Sequence, residues 1–99
     1  MTLYFHGSEK LIDGRLFKGT CVSSDKANAV IFARRRSRGK ECYLYELLLD
    51  PKTDLQQKID DEGTIDWVLV RDTQFSKRIL VTADLIAECK AASKANELA

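Results

Sequence analysis

Five stretches of the chain have the residue pattern of β-strands. Thr2–Phe5 combines β-branched and aromatic residues, and Cys42–Leu49 alternates weakly before it becomes almost wholly apolar. Thr64–Arg71 alternates along its whole length, whereas Cys21–Val22 and Arg78–Thr82 are shorter apolar segments. We predict a strand at each of these places. The strand at Cys42–Leu49 is expected to be buried on both faces and to end before the only proline of the chain.

Alternation along the two longest strands assigns their side chains to faces. In the buried strand, one face would contain Tyr43, Tyr45 and Leu47, and the other Leu44 and Leu48. In the later strand, the two sets are Ile65, Trp67 and Leu69 on one face and Asp66, Val68 and Val70 on the other. We therefore expect the tyrosines and Trp67 to lie in the core, and Asp66 to point outward unless it serves a site.

One segment has the spacing and the start signals of an α-helix. Apolar side chains recur at helical intervals over residues 27–33, directly after Ser-Ser-Asp at positions 23–25. A serine hydroxyl would cap the free N–H groups, and Asp25 would place an acid in the first turn, where the helix dipole favours it. Cations at the far end, with Gly39 just beyond them, are typical of a helix C-terminus.

Two connecting segments have weaker signals. Residues 9–20 contain Gly14 and Gly19 among scattered apolar positions, which indicates a loop with a short helical turn. Lys52–Ile59 has two aliphatic residues four positions apart and is predicted as a short helix. An acidic turn that ends in a glycine would join this helix to the strand that follows.

The C-terminal part is predicted to close the domain with a helical turn. Within Ala83–Lys90, the side chains of Leu85, Ile86 and Cys89 share one helical face and are expected to point inward. Residues 91–99 contain few apolar side chains, so we expect a frayed tail there.

Composition is that of a small globular protein. The 99 residues are 44% hydrophobic and 31% charged, which suits one domain with a small core. We assign this domain to residues 1–90 and predict an α+β fold, in which a small split antiparallel β-sheet packs with two or three short helices. The 16 basic and 15 acidic residues nearly cancel, so net charge indicates no particular class of partner.

Cysteine usage and hydropathy bear on the compartment. Cys21, Cys42 and Cys89 are odd in number and lack metal-type spacing, which favours free thiols in a reducing, cytoplasmic environment. No apolar run approaches the ~20 residues of a membrane span, and no signal segment is recognisable. We therefore expect no membrane partner.

The first candidate site is the triplet His6-Gly7-Ser8, which ends the first predicted strand and contains the only histidine. A glycine at this position would let a ligand approach the backbone closely, with one N–H and one C=O free to bind an amide. The alternative is a strand end followed by an ordinary turn.

The second candidate is the basic run over Arg34–Lys40, which has five positive charges in seven residues. Such a run is typical of a solvated helix end. It is equally suited to binding phosphate groups of a dinucleotide or a nucleic acid. The two interpretations are compatible.

Several common sites are excluded by the sequence. There is no P-loop, no G-x-G-x-x-G, no G-x-S-x-G and no H-E-x-x-H. One histidine makes a histidine-based metal site unsuitable, so no metal is predicted. A nucleophilic pair of Cys21 and His6 is conceivable, although no neighbouring residue supports it and a small buried cysteine is the more common role.

Three segments together resemble the ADP-ribosyltransferases of the diphtheria-toxin and poly(ADP-ribose) polymerase type. Leu3–Ser8 contains the H-G-[ST] motif, in full. Gly19–Phe32 begins where that family has G-x-Y-F-[AT] and ends on an aromatic residue eleven positions after the motif tyrosine. Asp66–Thr82 opens like the E-Y-x-V-x-D-x-x-Q strand, with aspartate for glutamate and one residue of slippage. The order and spacing agree, so the resemblance implies an ADP-ribosyltransferase-like fold.

The resemblance also implies roles for the matching residues. His6 would bind ribose hydroxyls of NAD, and Gly7, with Ser8 beside it, would offer its backbone to the nicotinamide carboxamide. Phe32 would stack on the nicotinamide ring. Asp66 would hold the ribose 2′-hydroxyl and stabilise the positive charge that develops as the glycosidic bond breaks. To these we add Arg34, with its neighbours through position 36, as a contact to the pyrophosphate.

One departure affects the binding of nicotinamide. Cys21 occupies the position of the motif tyrosine, so the ring would be held from one side only, unless Tyr43 or Tyr45 supplies the second face. The alternative for both tyrosines is a place in the core.

The leading hypothesis is therefore NAD-dependent mono-ADP-ribosyl transfer, with NAD as substrate and a protein, nucleic acid or small molecule as acceptor. Small members of that group encoded by bacteria or phages modify drugs, host proteins or defence components, which leaves the acceptor open. A second hypothesis is a degenerate relative that binds a nucleotide or a partner protein without chemistry. A third is nucleic-acid binding through Arg34–Lys40, which would weaken steeply with added salt.

Overall fold

The computed structural model describes the backbone of residues 1–98 and the side chains of residues 1–91. Over this range the chain forms eight strands and two helices. The strands are β1 Thr2–Ser8, β2 Arg15–Leu16, β3 Cys21–Val22, β4 Tyr43–Leu49, β5 Leu55–Ile59, β6 Ile65–Leu69, β7 Thr73–Gln74 and β8 Lys77–Leu80. The helices are α1 Lys26–Ser37, between β3 and β4, and α2 Ala83–Leu98 at the end.

All strand pairs are antiparallel, and they form three small sheets. The two larger sheets have the orders β1-β4-β8 and β3-β6-β5, and the third is the pair β2-β7. A single bridge joins the larger sheets: the N–H of Phe5 donates to the Ser23 carbonyl at 2.7 Å, and the N–H of Ser23 donates to the Phe5 carbonyl at 2.8 Å. The prediction of a compact α+β domain with small antiparallel sheets is confirmed.

β4 separates two hydrophobic clusters, as its alternation predicted. Tyr45 and Leu47 belong to the cluster between the sheets. Leu44, on the opposite face, packs with residues of α1 and α2. Leu48 differs from the prediction because it is 53% exposed. It pairs with Leu3, which is also exposed, so the two helices leave this end of the sheet uncovered.

α1 forms where helical spacing and capping residues predicted it. The Asp25 carboxylate is the N-cap and accepts from the N–H of Ala27 at 2.9 Å. The acid is therefore the cap itself, whereas the Ser23 hydroxyl accepts from the N–H of Asp25 at 3.0 Å. At the other end Arg38 adopts the left-handed conformation, and its N–H donates to the Arg34 carbonyl at 3.3 Å.

Two predictions between the longer elements were wrong. Residues 55–59, predicted as part of a helix, form the strand β5, which pairs with β6 along its whole length. An isolated helix of eight residues is unfavourable in water, whereas the open edge of β6 offers backbone hydrogen bonds to every second residue. Residues 9–20 contain no helical turn; there the fully buried Leu16 belongs to β2.

α2 packs against α1 with the side chains that its spacing predicted. Leu85, Ile86 and Cys89 contact the cluster that contains Val30. The helix continues through Leu98, but the side chains from position 92 onward lie outside the described residues, so the prediction of a frayed tail remains a prediction. In the described part of the chain, no helix is long and apolar enough to cross a membrane.

Candidate functional site

Gly7 allows α1 to lie directly on β1. A β-carbon built at this position would be 1.9 Å from the carbonyl oxygen of Ala29 and 2.9 Å from Cβ of Ala33. Any side chain would therefore push the helix away from the sheet. Helix packing therefore requires a glycine at this position, independently of the close ligand approach that the sequence suggested. The same close packing brings Phe32 of α1 to the end of β1.

The backbone polar groups of Gly7 point away from β4. The N–H and C=O of Phe5 both form hydrogen bonds with Ser23. Glu46 is the residue of β4 that pairs with Phe5, and its carbonyl accepts from the N–H of Ser76 at 2.8 Å. In an antiparallel pair, residues two positions apart direct their N–H and C=O to the same side. Gly7 therefore directs one donor and one acceptor toward the gap that opens between β1 and β3 beyond the Phe5–Ser23 bridge.

His6 spans this gap with its side chain. Its Nδ1 lies 2.7 Å from the carbonyl oxygen of Cys21. Since a carbonyl only accepts, Nδ1 has the hydrogen and Nε2 presents a lone pair in the neutral ring. Burial lowers the pKa of His6 below its usual value, although the hydrogen bond to Cys21 acts in the opposite direction. The ring is therefore neutral at pH 7, with one nitrogen available to accept a hydrogen bond.

Two neighbouring clefts meet at His6, Gly7 and Phe32. The larger, about 590 Å³, extends to β6, and we name it the Asp66 cleft. The smaller, about 380 Å³, extends along the chain after β1 to Arg36, and we name it the Arg36 cleft.

The Asp66 cleft brings together most of the residues proposed from the sequence. His6, Gly7, Cys21, Phe32 and Asp66 all line it, although they come from four segments far apart in the chain. Ser8 lines the Arg36 cleft, where its hydroxyl accepts from the N–H of Lys10 at 3.0 Å. Arg34 lines neither cleft.

Asp66 and Cys21 lie on the same face of their sheet. Cys21 pairs with Val68, two residues after Asp66, and Lys58 of β5 stands directly opposite Asp66. Burial raises the pKa of the Cys21 thiol, and the negative charge of Asp66 raises it further, whereas Lys58 acts in the opposite direction. A protonated thiol is a weak nucleophile. His6, moreover, donates to the Cys21 carbonyl, so the structure does not support a Cys21–His6 nucleophilic pair.

One stripe of α1 faces the Asp66 cleft. Asn28, Ile31, Phe32 and Arg35 follow the i, i+3, i+4, i+7 spacing of a helical face, and all line this cleft. Phe32 is 46% exposed, and the guanidinium of Arg36 lies 5.2 Å from its ring centroid, a cation–π contact that covers one face of the ring.

The three arginines at positions 34–36, assigned to pyrophosphate from the sequence, lie on different faces of α1. Arg34 faces α2, whereas Arg35 lines the Asp66 cleft and Arg36 lines the Arg36 cleft. Each residue advances a helix by about 100°, so neighbours in sequence point to different sides. Counting helical positions from Phe32 would have selected Arg35 and Arg36 from the sequence.

The two tyrosines of β4 do not supply the missing ring. Tyr45 is fully buried, and its hydroxyl accepts from the N–H of Ile12 at 2.6 Å and donates to the carbonyl of Lys10 at 2.8 Å. The Tyr43 hydroxyl donates to Glu41 at 3.3 Å. Neither lines the two clefts, and the alternative of core tyrosines describes Tyr45 correctly.

Trp67 is less buried than its alternation predicted. It is 36% exposed and lines the Asp66 cleft. Its partner on β3 is the buried Val22, so it lies on the core side of the sheet, on the opposite face from Asp66. Trp67 is the middle residue of β6, but the neighbouring strand β3 ends at its partner Val22, which leaves part of the indole uncovered.

Comparison with known proteins gives no family. No protein-family model matches the chain, and no curated protein or solved structure matches it. The arrangement of residues around the two clefts is therefore the basis for the functional argument.

Proposed function

We propose that this chain transfers ADP-ribose from NAD to an acceptor. The observation that supports the proposal best is the convergence of His6, Gly7, Phe32 and Asp66 on one cleft. The motif resemblance required this convergence, whereas the linear sequence did not guarantee it. A cleft of about 590 Å³ is within the ordinary range for sites that hold a small molecule.

The Asp66 cleft would take the nicotinamide end of the dinucleotide. The carboxamide needs one acceptor and one donor, and Gly7 directs both of its backbone groups into the gap beside this cleft. The nicotinamide ring would stack on the face of Phe32 that Arg36 leaves open. The neutral His6 would accept a hydrogen bond from a ribose hydroxyl at Nε2.

The Arg36 cleft would take the diphosphate end. Arg36 and Lys10 both line it, and a guanidinium and an ammonium together can neutralise the charge of a diphosphate. The exposed ring of Phe17 lines the same cleft and offers an apolar surface for a purine. Since the two clefts meet at His6, one elongated ligand can occupy both.

Asp66 is the catalytic residue of this proposal. The bond between the ribose C1′ and the nicotinamide nitrogen breaks, and its electron pair leaves with nicotinamide. Positive charge then develops on the ribose, where a nearby carboxylate stabilises it. The acceptor forms a bond to C1′ and releases its proton to solvent. Asp66 is partly exposed, so it can reach a bound ribose.

The test is nicotinamide release from NAD by the wild type and by Asp66→Ala and Asp66→Asn, with NAD binding followed by thermal shift. We expect release to fall by at least about 100-fold in both variants, the order of effect of removing one charge-stabilising group. Binding should change much less. Equal release by wild type and Asp66→Asn would contradict the catalytic role.

A second candidate is a relative that binds NAD without cleaving it. Cys21 at the tyrosine position favours this alternative, because Tyr43 and Tyr45 do not replace the lost ring. The same experiment separates the two functions. A thermal shift with NAD that depends on His6, together with no nicotinamide release by the wild type, would establish the binding protein.

A further inference from the structure

A third depression lies on the opposite side of α1 from the Arg36 cleft. α1 and α2 pack side by side and form a groove of about 330 Å³ between them, which we name the α1–α2 groove. Its floor is apolar, with Val30 and Cys89 buried. Its rim is cationic and consists of Arg34, Arg35 and Lys90.

The positive charge of the chain is concentrated beside this groove. Five of the 16 basic residues lie within Arg34–Lys40, so acidic residues outnumber basic ones in the remainder. The ion pairs in the described part of the chain are Arg71–Asp54 and Arg78–Asp13, and neither involves this run. No acidic residue is among those that line the groove in the same part. These cations are therefore available to an anionic partner.

Arg35 connects the groove to the candidate active site, because it lines both the α1–α2 groove and the Asp66 cleft. Cations follow one another from Arg35, at the Asp66 cleft, to Arg34 and Lys90 at the groove. A chain of phosphates bound along these side chains would pass the mouth of the Asp66 cleft. A small isolated anion would not need a series of cations of this length.

We propose that the α1–α2 groove binds the sugar–phosphate backbone of a single-stranded nucleic acid, and that this strand is the acceptor presented to the Asp66 cleft. The acceptor part of this inference depends on the proposed transferase function, whereas the binding part does not. A hydroxyl or ring nitrogen of the strand forms the bond to C1′ as nicotinamide leaves, and its proton goes to solvent. Trp67, which is 36% exposed and lines the Asp66 cleft without a role in NAD binding, provides a ring on which an unpaired base can stack.

The binding test uses a fluorescently labelled 12-nucleotide RNA of mixed sequence, without NAD, followed by anisotropy over a range of salt concentrations. The double variant Arg34→Gln/Lys90→Gln removes two rim charges without touching either cleft of the NAD site. We expect affinity to fall roughly tenfold, and the slope of log affinity against log salt to decrease by about 1.4, that is, about 0.7 for each phosphate contact of a single strand.

The matched control is Lys52→Gln/Lys77→Gln, which removes two exposed lysines away from the groove. We expect it to bind the RNA like the wild type. An equal loss in control and groove variants, or no binding at low salt, would overturn the proposal. A DNA strand of the same sequence identifies which nucleic acid is preferred, and tighter binding to a duplex than to either strand would also overturn it.

The acceptor test adds NAD labelled in its adenine to the same RNA. We expect label on the RNA with the wild type and a roughly tenfold slower transfer with the groove variant. Nicotinamide release in the absence of RNA should be equal for the two proteins. Label on an added protein but not on RNA would overturn the acceptor inference and leave the transferase intact. RNA binding with no turnover of NAD would overturn the transferase proposal and leave the groove intact.

Discussion

His6 and Gly7 are neighbours on β1, yet they face two different environments. Gly7 faces α1, and the space where a β-carbon would stand is filled by the Ala29 carbonyl and the Ala33 side chain. His6 faces the gap between the two larger sheets, where one ring nitrogen is bound to Cys21 and the other is available. The first position is constrained by packing and the second by chemistry, so a short motif can combine two independent requirements.

The difference between the two positions predicts that a substitution of Gly7 mainly lowers the stability of the fold and not the affinity for a ligand. In Gly7→Ala the new methyl group would meet the backbone of α1 at 1.9 Å, and a helix backbone cannot move aside without disturbing the core. We expect a loss of about 3 kcal/mol, or a fall in Tm on the order of 10–20 °C for a chain of this size, measured by thermal and chemical denaturation.

The control for this prediction is Gly14→Ala. Gly14 has a φ of +77° but open space around it, so only backbone strain of about 1 kcal/mol is expected. If Gly7→Ala were as stable as the wild type and lost only NAD binding, the packing explanation of Gly7 would be wrong.

The substitution His6→Asn is expected to give the opposite result. Asparagine can still donate to the Cys21 carbonyl, so the fold should change little, whereas the acceptor that we propose for the ribose would be misplaced. We expect NAD affinity to fall roughly tenfold to 100-fold, as when a hydrogen bond in a binding site is lost and its partner is left unpaired. Calorimetric titration measures the loss, and an unchanged affinity would exclude His6 from the site.

The wild type should also lose NAD affinity in acid, because protonation removes the Nε2 acceptor. Burial lowers the pKa of His6 in the folded state, so this loss should begin below the ordinary histidine value of about 6.5. The free energy of unfolding should also decrease in acid. As pH falls below about 6.5 the unfolded chain binds the proton first, so the folded state loses stability until His6 itself protonates. His6→Asn should lack both effects in this pH range.

The secondary structure was predicted correctly from the sequence where one local signal determined the element. The position of α1 followed from Ser-Ser-Asp at 23–25 and the cations near Gly39, although the cap is Asp25 and not a serine, and the two faces of β4 followed from alternation. The prediction failed at residues 55–59, because an aliphatic pair four positions apart suits a helix, while the pairing edge offered by β6 appears only in the folded chain.

The same limit applies to the candidate site. The sequence could identify His6, Phe32 and Asp66 as chemically suitable, but a shared cleft depends on how the two larger sheets meet at Phe5 and Ser23. Our sequence prediction did not separate Arg34 from Arg35 and Arg36, although only the latter two lie three and four positions after Phe32. Trp67 was assigned to the core because alternation gives the side of the sheet on which a residue lies, not how deeply that side is covered.

The smallest effect is expected at Cys21, which lies in the Asp66 cleft but contributes its backbone carbonyl, not its side chain, to His6. Partial desolvation and the charge of Asp66 raise the pKa of this thiol, so it is protonated at neutral pH and should take no part in bond breaking. Nicotinamide release by Cys21→Ser should therefore stay within about twofold of the wild type, well under 1 kcal/mol in activation free energy. A loss as large as that of Asp66→Ala would mean that the thiol participates in the reaction. Cys42→Ser is not a suitable control, because Cys42 is buried in the core, and only the exposed thiol can be exchanged without a change in packing.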